Sequence, residues 1–170
     1  MISKSDIFPV PVFQVQMQET IQHNFNHNEQ NVLKDDDSKF TQFVKSALLS
    51  INEELKFGQK LVIGRNYYRE MQKGEVVDIG NFMPAVWGGI LFLDATLKCP
   101  NLVLVSPNHF TNWPFTKVAE PGPYSSTSFS LDPMPNTLVL FPGYMNYKFE
   151  QKINDEKTSM IIFNVGAIDV

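Results

Sequence analysis

Seven short apolar runs, each ended by turn residues, occupy most of the chain after residue 59 and limit its fold more than any other feature. The runs cover 60–70, 86–95, 101–106, 126–131, 137–142, 146–153 and 158–165. Runs of this length that are rich in aromatic and β-branched residues are typical of β-strands. Many short strands at such spacing predict a β-sandwich or a barrel.

One amphipathic helix is predicted before these runs, over residues 38–57. Ser38 can cap its first turn, and Gly58 supplies a stop. Apolar residues recur at helical spacing, which predicts that one face of the helix packs on an outer sheet. A membrane or a partner helix is the alternative for that face. The apolar stripe consists of Phe40, Phe43, Val44, Ala47, Leu48, Ile51 and Leu55.

The N-terminal part predicts one more strand and a long polar connection. Residues 13–17 alternate apolar side chains with glutamines, as in a strand with one solvated face. Pro9 and Pro11 remove two hydrogen-bond donors, so the start of this strand should lie at a sheet edge. Residues 18–38 are rich in Asn, Gln and Asp and predict a solvated connection, whose last acidic residues favour a helix N-terminus.

Size and charge exclude several classes of protein. A chain of 170 residues with 43% hydrophobic content predicts one domain, 1–170. Only 19% of the residues are charged and the net charge is −4, which argues against a broad nucleic-acid surface. Cys99 is the single cysteine, and the sequence contains no signal peptide and no long apolar span. We therefore expect no disulfide, no membrane association and synthesis in a reducing cytoplasm.

Local motifs for common chemistries are missing from the sequence. It contains no GxGxxG, P-loop, GxSxG or HExxH pattern, so nucleotide binding, serine hydrolysis and zinc proteolysis have no support. His23 and His27 would share a face of a helix, but their Asn-rich surroundings predict two solvated histidines. Glu75 and Asp78 are predicted to be exposed turn carboxylates, and His109 a turn histidine.

Several short motifs together resemble the small 2-oxoglutarate/iron(II) oxygenase-like family, many of whose members come from phage and marine bacterial genomes. The motifs are 73–75 (Lys-Gly-Glu), 88–93 (Gly-Gly-Ile-Leu-Phe-Leu), 101–103 (Asn-Leu-Val) and 140–142 (Leu-Phe-Pro), and the opening strand at 7–12 is similar too. The resemblance implies a double-stranded β-helix, a jelly-roll-like barrel with strands over about 60–165 and the helix packed on an outer sheet.

The same resemblance locates the residues where the family binds iron and its co-substrate. The three metal-ligand positions fall on Gly80, Phe82 and Tyr147, and the basic co-substrate position falls on Lys157 or Thr158. A facial triad needs two His and a carboxylate, whereas glycine and phenylalanine offer no side-chain ligand and a neutral phenol is a poor one. We therefore expect no metal, no cofactor and no catalytic residue.

The sequence thus predicts a non-catalytic structural or interaction protein that assembles with other protein subunits in several copies, as a phage virion component does. A candidate contact loop carries Trp113, Phe115 and Tyr124. One alternative is an oxygenase with a displaced site. Another is a module that binds a sugar or a small acid, which would need an open polar cavity around Asp78, Tyr147 and Lys157.

Overall fold

The structure is a computed structural model that describes residues 11–96, 98–105 and 128–169. One helix and nine strands lie in these ranges, and they confirm the prediction of a mainly β fold with a single helix. In chain order they are β1 (Phe13–Gln16), α1 (Lys39–Leu55), β2 (Lys60–Glu70), β3 (Val77–Gly80), β4 (Trp87–Asp94), β5 (Leu102–Val105), β6 (Ser128–Leu131), β7 (Thr137–Pro142), β8 (Asn146–Phe149) and β9 (Ser159–Ile168).

The strands form two antiparallel sheets. The larger sheet has the order β1-β7-β4-β9-β2, and the smaller has the order β3-β8-β5-β6. Strands distant in sequence are neighbours in both sheets, as expected for a jelly-roll-like barrel. The strand β1 lies at an edge, as predicted from its prolines, although Pro9 lies outside the described residues.

Alternating side chains of the larger sheet enter two separate hydrophobic cores. The inner core lies between the sheets and contains Met71, Ile90, Phe92, Leu102, Leu104, Leu131, Val139, Phe141, Met145, Tyr147, Phe149, Met160 and Ile162. The outer core lies under the helix and contains Met17, Val32, Leu33, Phe40, Val44, Ala47, Leu48, Ile51, Tyr68, Trp87, Leu91, Leu93, Leu138, Leu140, Ile161, Phe163 and Val165.

The helix packs on the larger sheet through the predicted stripe. Five of its seven stripe residues are buried, and Phe43 and Leu55 pack against the outer core. Ser38 occupies the N-cap position, but its side chain makes no capping hydrogen bond. The helix ends at Leu55 because Lys56 adopts a left-handed conformation, two residues before Gly58.

Residues 18–38, predicted to be a solvated connection, are instead attached to the larger sheet. Val32 and Leu33 are buried in the outer core. Asn66, which is 2% exposed, accepts a 2.8 Å hydrogen bond from the Leu33 amide through its Oδ1 and a 2.7 Å bond from the Asn31 amide through its carbonyl. Asn66 follows a register irregularity between β2 and β9, which turns its polar side chain toward the segment. Residues 18–38 therefore form a strap over the sheet.

The strand β3 is the one described element that the sequence pattern missed. It has four residues, it contains Asp78 and Gly80, and its pairing with β8 is irregular between Val77 and Gly80. Such a segment shows no regular alternation of polar and apolar residues. No helix in the described part of the chain has the length and hydropathy needed to cross a bilayer.

Candidate functional site

The three predicted ligand positions meet at one end of the barrel. Gly80 is the last residue of β3, and it lies directly opposite Tyr147 of β8 in the antiparallel register. Phe82 follows two residues later, where its backbone amide donates a 2.9 Å hydrogen bond to the Gly143 carbonyl. The sequence therefore identified three positions that the fold brings together.

Aromatic rings fill this end of the barrel. The rings of Phe82 and Tyr147 are stacked, with centroids 5.1 Å apart and planes within 9° of parallel. Phe141 contacts both, at centroid distances of 5.8 Å from Phe82 and 5.7 Å from Tyr147. Contacts of this kind contribute about 0.5–1.5 kcal/mol per pair beyond the burial of their area. We call Phe82, Phe141 and Tyr147 the aromatic plug.

Burial controls the ionisation of Tyr147. Its side chain is almost wholly buried, and burial, with a smaller effect from the neighbouring Tyr67, raises the pKa of the phenol to about 12. Arg69 acts in the opposite direction but does not outweigh burial. The phenol is therefore neutral at physiological pH.

Gly88 makes room for the plug. A Cβ atom on Gly88 would lie 2.1 Å from Cδ2 of Phe82 and 2.4 Å from its Cε2, far inside van der Waals contact. At Gly80, by contrast, a Cβ would meet the Tyr147 ring at 3.7 Å, an ordinary contact. The Phe82 ring thus depends on glycine at position 88, whereas position 80 has space for a first side-chain atom.

The side chains at these positions do not fit a metal ion. Glycine and phenylalanine provide no donor atom, and the single phenol stays protonated. Within residues 11–96, 98–105 and 128–169, no three His, Cys, Asp or Glu side chains are close enough together to hold a metal. Iron has no suitable ligands at the plug.

The expected co-substrate positions make other contacts. Lys157 is exposed, and its Nζ lies 2.9 Å from Oδ2 of Asp94. Thr158 is fully buried, and its hydroxyl oxygen lies 2.9 Å from the sulfur of Cys99. Neither side chain is an available cation beside Tyr147, so the residues do not fit a bound keto acid.

A cation inside the barrel comes from a residue that the sequence analysis did not single out. Arg69 and Tyr67 lie on β2 opposite Met160 and Ile162 of the inner core. Arg69 forms an ion pair with Glu75, which therefore is not the exposed turn carboxylate predicted. Burial tends to raise the pKa of Glu75, but hydrogen bonds from Arg69 and from the Gln72 amide outweigh it and lower that pKa.

Asp78, in contrast, is exposed, as predicted, but it lies in the strand β3 and not in a turn. No arginine–carboxylate pairing was visible in the sequence, because β2 and the turn after it come together only in the folded chain. The only available signal was an arginine among the apolar residues of a predicted strand.

His23 was also placed wrongly by the sequence pattern. Only 7% of its side chain is exposed, and its ring stacks on Phe25 at 5.5 Å and packs against Tyr68 at 5.4 Å. Its Nε2 lies 3.1 Å from Oδ2 of Asp94, which also accepts a 2.6 Å hydrogen bond from Ser159. His23 therefore attaches the strap to the sheet, whereas His27 is exposed, as predicted.

The candidate contact loop lies outside the described residues. This applies to Trp113, Phe115 and Tyr124, and also to His109.

Solved structures similar to this chain include an oxygenase-family oxidoreductase and a prolyl-4-hydroxylase. A 2OG-Fe(II) oxygenase-family oxidoreductase from Burkholderia pseudomallei matches with a TM-score of 0.57 and 7% identity, over 91% of this chain and 68% of that one. HygX from Streptomyces hygroscopicus with iron bound matches with a TM-score of 0.54 and 10% identity, over 81% of this chain and 70% of that one. A prolyl-4-hydroxylase from Pseudomonas putida matches with a TM-score of 0.51 and 10% identity, over 79% and 68%.

No protein-family model and no curated protein matches the sequence. At identities of 7–10% the structural likeness establishes the fold alone. The chain therefore has the double-stranded β-helix fold of 2OG-Fe(II) oxygenases, as predicted. Phe82 and Tyr147, which belong to the aromatic plug, occupy two of the three positions at which the sequence resemblance placed metal ligands.

Replacing Gly88 with Ala should destabilise the protein by about 1–3 kcal/mol, because the new methyl group forces Phe82 out of the plug. Urea denaturation of the variant measures this loss. Gly166→Ala is the matched control, since Gly166 also lies in a strand of the larger sheet and a Cβ there would meet no atom within 4 Å. Equal effects of the two substitutions would contradict the role given to Gly88.

The stability of the native protein should fall as the pH rises from 10 to about 12. The folded-state pKa of Tyr147 is raised, so folding keeps a proton that the unfolded chain releases above pH 10, and this contribution is lost as the pH rises. Denaturant unfolding at pH 9 and pH 11 compares the native chain with Tyr147→Phe, which cannot ionise. A decline of the same size in both proteins would show that other groups cause it.

Proposed function

We propose that this protein is a non-catalytic member of the oxygenase-fold structures that works through contacts with other proteins. The observation that carries the proposal is the stack of Phe82 on Tyr147 at the point where an iron site is expected. Hydrophobic rings there exclude water and leave no donor set for a metal. A barrel closed in this way keeps its rigid sheets and edges but lacks the iron-dependent chemistry of an oxygenase.

Exposed apolar side chains beside the plug support a role in contacts. Ile79 and Met83 are 61% and 66% exposed, and they flank Phe82 along the chain. Tyr144, in the turn before β8, is also exposed. The Gly143 amide donates a 2.9 Å hydrogen bond to the Val86 carbonyl, which joins this turn to the segment that carries Met83. Large apolar side chains that remain exposed are common at interaction surfaces.

We further propose that the protein is a multi-copy component of a phage virion, in the capsid, neck or tail. Its support is the sequence resemblance to a family frequent in phage genomes. Jelly-roll domains with rigid edges are used as shells and decorations in virus particles.

The absence of catalysis is tested by titrating the native protein with manganese(II) and 2-oxoglutarate under anaerobic conditions. We expect neither heat of binding nor a rise in melting temperature, because the plug offers no ligand and Lys157 is paired with Asp94. Stoichiometric binding of both would overturn the proposal and favour an oxygenase with a displaced site.

Assembly is tested by sedimentation velocity over a wide range of protein concentrations. We expect the native chain to associate as its concentration rises and Ile79→Lys/Met83→Lys to stay monomeric, because each buried apolar side chain contributes about 1.5–3 kcal/mol. Leu49→Lys is the matched control, since Leu49 is 63% exposed on the helix. A native chain that is monomeric at every concentration would contradict self-assembly.

A further inference from the structure

We infer that residues 1–10 of one copy of this protein bind an exposed apolar surface at the plugged end of a second copy. The surface carries Ile79, Met83 and Tyr144, and we call it the plug-end surface. We call residues 1–10 the leading segment. The inference rests on the proposed function for the statement that the copies contact one another, and it adds the segment that makes the contact.

The plug-end surface is built from two parts of the chain that pack together. Ile79 and Met83 come from β3 and the residues after it, and they are 61% and 66% exposed. Tyr144 is 47% exposed and lies in the turn between β7 and β8. Gly143 packs so closely on Ala85 that a Cβ atom at position 143 would lie 2.0 Å from the Ala85 carbonyl oxygen. The three exposed side chains therefore belong to one end of the barrel.

The leading segment departs from the sheet at this same end. The strand β1 runs antiparallel to β7, and Phe13 lies opposite Leu140. The next pair along this register joins Val12 to Phe141 of the plug, and Val12 packs against the inner core that contains Phe141. The turn that carries Tyr144 follows β7 directly. Residues before Val12 therefore begin beside the plug-end surface.

The composition of the leading segment suits an apolar surface. Its large apolar residues are Ile2, Ile7, Phe8 and Val10, and its only charged residues are Lys4 and Asp6. Extended segments that contain proline bind surfaces with aromatic side chains, because they have little conformational entropy to lose. The plug-end surface offers such a side chain in Tyr144, next to two aliphatic ones.

The prolines of the sequence favour a second copy over the same chain as the binding partner. Phe8 and Val10 each precede a proline, and the residue before a proline favours extended backbone. An extended continuation of β1 leads away from the barrel that carries it. Ten extended residues reach about 33 Å, which is enough to meet a neighbouring molecule. Reciprocal exchange of segments closes a dimer, and exchange around a ring closes a larger assembly.

The test combines two full-length variants in sedimentation velocity. Ile7→Lys/Phe8→Lys changes the segment and keeps the surface, whereas Ile79→Lys/Met83→Lys changes the surface and keeps the segment. We expect each variant alone to self-associate at least about 100-fold more weakly than the native chain, because each lost apolar contact weakens binding about tenfold or more. Mixed together, they should form a one-to-one complex, since the intact segment of one meets the intact surface of the other.

A matched control and a peptide make the test specific. Ser3→Lys/Ser5→Lys adds the same charges at polar positions of the leading segment, and we expect it to associate as the native chain does. A synthetic peptide of residues 2–12 should bind Ile7→Lys/Phe8→Lys and should not bind Ile79→Lys/Met83→Lys. If the segment variant does not fold, the peptide is titrated onto the native chain, whose assembly it should dissociate. An assembly that the peptide leaves unchanged would overturn the inference.

Three further outcomes would also overturn it. A segment variant that associates as its serine control does would show that other residues form the contact. A segment variant that associates more tightly than the native chain would show that the segment covers the surface of its own chain. Variants that stay monomeric when mixed would show that segment and surface do not bind each other. A native chain that is monomeric at every concentration would instead overturn the proposed self-assembly, so the two failures are distinguishable.

Discussion

Burial of the larger sheet on both faces is the constraint on which the rest of the structure depends. The strand β4 is buried along almost its whole length, and residues 159–163 of β9 are buried without a gap. Neither strand could be covered by one partner layer. The smaller sheet covers one face and forms the inner core, while the helix and the strap cover the other and form the outer core. The fold is therefore a consequence of two central strands that are apolar on both sides.

Elements that bury many apolar residues were predictable from the sequence, because this burial requires a long, regular apolar pattern. The continuous apolar run of β4 and the helical stripe of α1 are patterns that local composition determines. The strand β3 has neither pattern, because it lies at a sheet edge with irregular pairing and exposes Asp78 and Ile79. Edge strands receive their conformation from the neighbour to which they pair, and that neighbour is distant in sequence.

Polar residues that attach one element to another were not predictable. The strap is polar in composition, yet its His23 pairs with Asp94 of β4, and its Leu33 amide donates a hydrogen bond to Asn66 of β2. Arg69 and Glu75 likewise acquire their roles from a contact that only the folded chain creates. The sequence around a polar residue does not show whether a residue distant in the chain will form a hydrogen bond with it. Such a residue is therefore predicted to be solvated. Burial of such groups costs free energy unless each finds one, which is why these contacts are specific.

Motifs on both sides of the candidate site selected Gly80, Phe82 and Tyr147, and the fold brings these residues together. The aromatic contacts among their neighbours became clear only in the structure. Phe82 and Tyr147 do more than leave out metal ligands, since they continue the inner core through Phe141 and Phe149 to the end of the barrel. A metal centre requires polar ligands that remain partly open to solvent, and an aromatic stack requires the opposite. One barrel end cannot satisfy both, so a stack of Phe82 on Tyr147 and a set of metal ligands are alternatives at these two positions.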